Sequence, residues 1–563
     1  MDRERRQIDP FLIFIVALSL FSFGRLFGIR DIIWDDNCWL LSAYASSNLK
    51  DFLNTGLAEL RRIPQGAFLY YFFILHKISG FAYLIWNTLA VAIQVFSPVL
   101  LYLFLKKLFR GGLLLAFLIS VFLILCLLDT TLICYQHLPY RLALLFSIGS
   151  FYFMYEAMNY GPRRPVFFMI SYILSACASY TLLESVVSFE PARIFVIAYV
   201  LRQGGASGKS LLKKTVTNWL PFFFILTPLI IYKSVFKPYG LYAHEYSMSL
   251  DYLINFKNYL LLIKHLLFWN WLFMLKHILR ASFISWFLGI FAVSLSFYFL
   301  SSRLQMLRKE TDVILDGKAF KGCVLLGLLF LFPPLIMYAL VNRFASFGMN
   351  SRHAIILEPG YAIIGGSIAY LLYLSFFSSP SRIRWAAVIV SLWIGLGVLV
   401  NNIALDMGFY AASYQGKFWR AFTARFPALP AKAVFLTDIY DDSLLYDTDF
   451  HVFYAIELPL NILYATSKDA DKFREYKVYN ISEWMKEGMP TAPFSRPSHY
   501  GRDFFDPKEF IVINYRNNEL LVNREILKKY PDVPYRSLAD KDFPKIERKG
   551  LSYPLRYKLH DSS

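Results

Sequence analysis

The sequence predicts a polytopic α-helical membrane protein of about eleven spans, with a small α+β domain after the last span. Two observations carry this prediction. Of the 563 residues, 57% are hydrophobic and only 17% are charged, whereas a soluble protein of this length needs a larger polar surface. Long apolar runs also recur along the first 404 residues, and a helix needs roughly 20 apolar residues to cross a bilayer.

The apolar runs give the order of the spans. They cover residues 10–29, 81–105, 112–131, 140–158, 165–183, 186–201, 217–236, 282–301, 321–341, 353–376 and 385–404. Residues 38–60, 66–79 and 256–279 are amphipathic or too short to cross, which favours helices lying at the membrane surface. The first span has a basic start and no small-residue cleavage site, so we expect an uncleaved helix.

The net charge of +18 is explained by membrane topology and not by a nucleic-acid partner. Basic residues gather in every second connection between the apolar runs, which is typical of the cytoplasmic side. The N-terminus is then cytoplasmic, and the residues after the last span lie outside. The basic residues concerned are Arg3, Arg5, Arg6, Lys106, Lys107, Arg110, Arg163, Arg164, Arg202, Lys209, Lys213, Lys214, Arg303, Arg308, Lys309, Lys318, Lys321, Arg382 and Arg384.

The composition changes after Asn401-Asn402, and residues 405–563 predict an extracytoplasmic α+β domain of ordinary size. Residues 413–426 are expected to be helical and residues 433–437 to form a strand. Residues 510–515 and 519–522 are predicted to form a β-hairpin. The chain therefore divides into a transmembrane domain, residues 1–404 with an outer loop at 30–80, and a second domain at 405–563.

Two adjacent carboxylates, Asp35 and Asp36, follow the first span. Carboxylates at a membrane surface are costly to desolvate, which favours a function for them. One would act as a general base, and the other would orient it or bind a metal. The alternative is a helix N-cap ahead of Asn37. Since the sequence has no other metal motif, any divalent cation would have to bind Asp35 or Asp36.

Further polar side chains occur in the connections that are expected to face outward. Arginine matches phosphate oxygens bidentately, and carboxylates at a membrane edge are often functional. The alternatives are lipid headgroup contact, snorkelling or capping. Deeper in its span, Glu190 has Arg193 at helical spacing and can pair with it. The candidate substrate-binding residues are Arg62, His137, Arg141, Glu184, Arg343, Arg352 and His353.

The order of these motifs along the chain can be compared with that of known membrane proteins. The first span leads to Asp35-Asp36, an amphipathic helix, Arg62-Ile-Pro64, a short apolar helix and a second span that ends in Lys106-Lys107. Glu184 follows the fifth span, and Ser351-Arg352-His353 precedes a late span. This layout, over most of residues 1–410, resembles the GT-C superfamily of integral-membrane glycosyltransferases, which includes protein O-mannosyltransferases and lipid A aminoarabinose transferases.

The resemblance implies a generally inverting transfer of a sugar from a polyprenyl-phosphate donor to a glycan, lipid or protein acceptor. Asp35 or Asp36 would deprotonate the acceptor hydroxyl. The charge of the lipid phosphate would be stabilised by fixed cations, for which the candidates are Arg62, Arg141, Arg343 and Arg352. A bacterial inner membrane fits this reaction, with the C-terminal domain in the periplasm or outside the cell and membrane lipids around the spans.

Two other functions stay open at the level of the sequence. An O-antigen-type polymerase or ligase would use similar lipid-linked sugars and outer-loop arginines. A lipid or polysaccharide transporter would instead need helix breaks at paired mid-membrane positions, together with inverted repeats. Convergence of Asp36, Glu184 and Arg352 on one cavity would favour the enzyme.

Overall fold

The structure is a computed structural model. It describes residues 9–28, 48–53, 66–71, 82–109, 112–159, 163–181, 187–235, 270–310, 317–340, 348–376, 380–426, 434–437, 476–480, 494–498, 501–505, 510–516 and 519–522, with isolated residues between these ranges.

Helices account for most of the described residues. They are α1 Pro10–Phe23, α2 Leu49–Leu53, α3 Ala82–Leu108, α4 Leu113–Leu125, α5 Leu138–Asn159, α6 Arg164–Thr181, α7 Glu190–Gln203, α8 Gly208–Val235, α9 Asn270–Lys276, α10 Phe283–Glu310, α11 Gly317–Leu340, α12 Glu358–Phe376 and α13 Pro380–Arg425. Short 3-10 segments occur at Gly24–Gly28, Tyr135–His137, Val187–Phe189, Ile278–Arg280 and Gly348–Leu357.

Seven helical segments within the described ranges are long and apolar enough to cross a membrane, so the protein is a helical membrane protein by length and composition. These segments are Pro10–Gly28, Leu84–Leu108, Gly208–Tyr232, Phe283–Arg303, Gly317–Leu340, Ser351–Ser375 and Arg384–Arg425. Two further apolar helices, Leu113–Leu125 and Arg164–Ser179, are shorter. The count of eleven spans and their orientation stay predictions.

The three segments expected at the membrane surface are described only in part. Helix α2 lies within residues 38–60, residues 66–71 are helical, and α9 lies within residues 256–279. Most of the described residues in these segments are thus helical, the remainder of each segment lies outside the described residues, and the position at the membrane surface stays a prediction.

Helix α1 begins where its sequence predicts. Asp9 is the N-cap, and its Oδ1 accepts a hydrogen bond from the Phe11 backbone N–H at 3.0 Å. Pro10 occupies the first helical position, where its missing N–H costs nothing. The second Asp9 oxygen accepts hydrogen bonds from Tyr102 Oη and Lys106 Nζ, each at 2.7 Å. The start of α1 is therefore fastened to the end of α3.

Helix α12 packs directly against two neighbours without intervening side chains. A Cβ added at Gly366 would lie 2.6 Å from the Cα of Ile119 in α4, and one added at Gly360 would lie 2.6 Å from the backbone nitrogen of Leu331 in α11. Because both of these are backbone atoms, they cannot move aside by rotation of a side chain. Glycine is required at both positions by close helix approach.

The expected pair of Glu190 and Arg193 is confirmed. Arg193 Nε donates to Glu190 Oε1 at 3.0 Å, and Nη1 donates to Ser150 Oγ at 3.0 Å. The guanidinium also lies against the Phe151 and Phe222 rings, 4.6 and 4.1 Å from their centroids. This buried cation therefore joins α5, α7 and α8 in a fully hydrogen-bonded cluster.

Helix α13 departs from the sequence expectation. A span ending at residue 404 and a separate helix at 413–426 were expected, but residues 380–425 form one continuous helix. Asn401 and Asn402 do not end it, because their side-chain amides donate to the carbonyls of Ile124 and Phe21 at 2.9 and 3.0 Å. The expected domain boundary therefore falls inside a helix.

The strands form a mixed sheet and a separate pair. They are β1 Val434–Thr437, β2 Lys477–Asn480, β3 Phe494–Ser498, β4 Gly501–Phe505, β5 Phe510–Arg516 and β6 Glu519–Val522. The sheet order is β2-β1-β5-β6, in which β1 runs parallel to β2 and β5, while β5 and β6 are antiparallel. Strands β3 and β4 pair with each other. The expected strand at 433–437 and the expected hairpin are confirmed.

The last turns of α13 pack on this sheet. The ring centroids of Phe422 and Phe435 are 5.6 Å apart, and Tyr464 Oη donates to the Phe426 carbonyl at 2.7 Å. Helix α13 is therefore a continuous connection between the apolar bundle and the sheet.

The close approach at Gly366 yields a stability prediction. Gly366→Ala should lower the midpoint of thermal unfolding in detergent, because the added methyl would overpack the contact with α4 at a cost of about 1–3 kcal/mol. Gly317→Ala is the matched control, since a Cβ there meets nothing within 4 Å. Equal midpoints for the two variants would contradict the packing described.

Candidate functional site

Two distant parts of the chain meet at one end of the bundle. The connection between α4 and α5 contacts the 3-10 segment before α12, where the Thr130 backbone N–H donates to Ser351 Oγ at 2.9 Å. Asn270 Nδ2 donates to the Leu127 carbonyl at 2.8 Å, so α9 reaches the same region. We name this region the Asp129 end. The opposite region, where Asp9 meets Lys106, is named the Asp9 end.

A buried ion pair forms the centre of the Asp129 end. Arg141 Nε donates to Asp129 Oδ2 at 2.9 Å, and Arg141 Nη2 contacts the same oxygen. Both residues are 3% exposed. Oδ1 of Asp129 accepts from the backbone N–H and the hydroxyl of Thr131 at 2.7 and 2.5 Å. Ser351 Oγ lies 3.4 Å from the same oxygen.

Arg141 thus has a different setting from the one expected of a phosphate ligand. Besides Asp129, its guanidinium donates through Nη1 to the Leu132 carbonyl at 3.1 Å. Its charge is balanced locally, and its fork holds the α4–α5 connection together. A buried pair with satisfied hydrogen bonds positions its neighbours, and binding of substrate by Arg141 stays a prediction.

Three further candidates lie around this pair. His137 and His353 are buried, and Arg352 is half-buried. Burial and the neighbouring positive charges of Arg352, Arg141 and His353 hold the pKa of His137 well below its usual value. His137 ends the 3-10 turn before α5 and is neutral at neutral pH. His137 is therefore within electrostatic reach of the other three candidates.

A small cavity opens beside the ion pair, with room for about one water molecule. Arg141 and Glu358 line it together with Gln94 and Ser97. Glu358 is the first residue of α12, so a second carboxylate lies next to the Arg141 guanidinium. Asp129 and Glu358 together give this region two acidic groups beside one balanced cation.

A second polar cluster fixes the end of α1. Arg25 Nη2 lies 2.6 Å from Asp406 Oδ1, and Arg25 Nη1 donates to Ser285 Oγ at 2.7 Å. The other Asp406 oxygen accepts from the Ser282 backbone N–H at 2.9 Å and from Ser285 Oγ at 2.7 Å. Asp406 lies five residues after Asn401, which bonds to α4, so α1 ends at the Asp129 end of the bundle.

Several of the predicted residues lie outside the described residues. They are Asp35, Asp36, Arg62, Glu184 and Arg343. The expected convergence of Asp36 and Glu184 with Arg352 therefore stays a prediction. Within the described ranges there is no group of three or more His, Cys, Asp or Glu side chains suited to a metal ion. A divalent cation at Asp35 or Asp36 likewise stays a prediction.

Reasoning from the sequence missed Asp129 and Asp406. Asp129 falls inside the predicted span 112–131 and was absorbed into its apolar run. The available signal was its neighbourhood, because Asp129-Thr130-Thr131 is a polar triplet only ten residues before Arg141. The sequence held a weaker signal for Asp406, because its partner Arg25 is 381 positions away.

No protein-family model, no curated protein and no solved structure matches the chain. The function must therefore be argued from the residues and their geometry.

The ion pair at the Asp129 end can be tested by its coupling energy. Asp129→Asn should lower the free energy of unfolding by about 3–5 kcal/mol, because it leaves the buried Arg141 charge uncompensated. Adding Arg141→Met should restore part of that loss, which chemical unfolding in detergent would measure. Asp51→Asn, at an exposed position in α2, controls for loss of a carboxylate. Strictly additive effects of the two substitutions would contradict a direct pair.

Proposed function

We propose that this protein is a membrane glycosyltransferase that moves a sugar from a polyprenyl-phosphate donor to an acceptor hydroxyl at the outer membrane face. One observation supports it most. At the Asp129 end, His137 is within electrostatic reach of Arg352, His353 and the Arg141 of the buried ion pair. The 3-10 segment that follows α1 ends at Gly28, seven residues before Asp35 in the chain. We infer that Arg352 and the two histidines, together with Asp35 and Asp36, serve one substrate at that end.

The basic residues suit the leaving group of such a reaction. When the sugar departs, the lipid phosphate gains negative charge, and fixed donors in a region of low dielectric stabilise that charge without reorganising. Arg352 contributes a permanent charge. His137, which is neutral, contributes hydrogen bonding with its ring nitrogens. Arg62 and Arg343 are proposed to complete the set.

The acidic pair suits the other half of the reaction. Asp35 or Asp36 takes the proton of the acceptor hydroxyl as its oxygen attacks the anomeric carbon, while the bond from that carbon to the phosphate oxygen breaks. A single displacement of this kind inverts the anomeric centre. Asp129 is unsuited to the same task, because Thr131, Arg141 and Ser351 already engage its oxygens.

The surroundings agree with a lipid-linked donor. The apolar helices supply a surface for the polyprenyl tail, and the Asp129 end supplies the polar site for phosphate and sugar. We propose that eleven spans place the N-terminus in the cytoplasm, and that the Asp129 end and residues 405–563 lie outside a bacterial inner membrane. Glu184 is proposed to contact the sugar, and the acceptor is a glycan, lipid or protein.

The acidic pair provides the direct test. In membranes supplied with a labelled polyprenyl-phosphate sugar, either Asp35→Asn or Asp36→Asn should reduce transfer by about 100-fold or more, because a general base contributes roughly 10²–10⁴. Protein levels are matched, and Asp51→Asn is the control. Undiminished transfer by both variants would remove the pair from the chemistry.

A further inference from the structure

A second cavity lies on α13, apart from the residues assigned above to transfer. It has a volume of about 280 Å³ and is partly open to the outside of the bundle. His277, Arg280, Ser282, Asp406, Met407 and Tyr410 line it. Its walls come from the connection between α9 and α10 and from the middle of α13. A cavity of this size can hold a small polar headgroup.

The acidic residue in its wall does not repel an anion. Arg25 balances the charge of Asp406 at 2.6 Å. Both carboxylate oxygens are already engaged, because Ser282 N–H and Ser285 Oγ donate to Oδ2 at 2.9 and 2.7 Å. The charges of Arg25 and Asp406 cancel, and the cavity keeps the positive charge of Arg280.

Arg280 supplies a positive charge to the cavity. Its side chain is exposed at the cavity rim. No acidic side chain among the described residues forms an ion pair with Arg280. His277 is buried in the cavity wall, and Tyr410 adds a hydroxyl. These side chains offer the N–H and O–H donors that a phosphate group requires.

The chain next to the cavity-lining residues Arg280 and Ser282 exposes large apolar side chains. Leu279 is 92% exposed and Phe283 is 83% exposed, and they flank Arg280 on either side in the chain. Ile284 and Phe287 continue this exposed face along α10. Large apolar side chains this exposed mark a surface that meets lipid or another apolar partner. A basic cavity beside an apolar helix face matches a lipid, with its headgroup in the cavity and its chain along α10.

We propose that this cavity binds the phosphate of an anionic membrane lipid. Arg280 and Tyr410 contact the phosphate oxygens, His277 lines the base of the site, and the acyl or prenyl chain lies against Phe283 and Phe287. The site is separate from the residues assigned to transfer. Binding here therefore does not depend on the proposed function.

The experiment uses purified full-length protein, stripped of lipid in detergent, and native mass spectrometry. The probes are phosphatidylglycerol, a polyprenyl monophosphate, zwitterionic phosphatidylcholine and inorganic phosphate. Arg280→Gln is compared with Lys276→Gln. The second variant also removes one positive charge, four residues earlier in the chain, but Lys276 does not line the cavity. Arg280→Lys retains charge without the planar fork.

Arg280→Gln should bind phosphatidylglycerol about tenfold more weakly than the parent, because it loses a charge-assisted contact. Lys276→Gln should bind like the parent, and Arg280→Lys should fall between. The same pattern with tighter binding of the polyprenyl monophosphate would also support the site and would identify an isoprenoid lipid as its source. Equal binding by Arg280→Gln and Lys276→Gln would overturn the proposal. So would binding of inorganic phosphate as tight as that of either lipid.

Discussion

The buried carboxylate of Asp129 is the constraint on which the Asp129 end depends. A charge removed from water must be paired and hydrogen-bonded, so the chain around it has little freedom. Asp129 meets that demand with Arg141 from α5, with Thr131 from its own connection and with Ser351 from 222 residues away. The position of Ser351 then determines where its neighbours Arg352 and His353 lie. An interaction that is structural in itself thereby brings the candidate binding groups together.

The same rule recurs through the bundle. Arg25 and Asp406 join the end of α1 to α10 and α13, while Glu190 and Arg193 join α7 to α5 and α8. Apolar faces attract one another without direction, and the lipid around a membrane protein is as apolar as its helices. Paired polar groups therefore do more than apolar packing to specify which helices contact one another and in which axial register.

Local patterns in the sequence were predicted more successfully than distant ones. The apolar runs predicted the helices, the three-residue spacing predicted the pair of Glu190 and Arg193, and a turn between two apolar segments predicted the hairpin of β5 and β6. The parallel partners of β1 were missed because they lie about 40 and 75 residues further along the chain. The change in composition after Asn401-Asn402 favoured the end of a span there, although the Asn401 amide donates a hydrogen bond to a carbonyl of another helix. Asp129 was missed because its importance depends on a partner far away in the sequence.

The central claim is that the Asp129 end carries the donor phosphate during transfer. The most direct measurement is kcat/KM for a polyprenyl-phosphate sugar with Arg352→Gln, compared with Arg384→Gln near the start of α13, at the Asp9 end. Loss of a charge-assisted contact to the leaving group should lower the value for Arg352→Gln by about 10- to 100-fold and leave that for Arg384→Gln unchanged. Equal values for the two variants, or a loss confined to Arg384→Gln, would contradict the account.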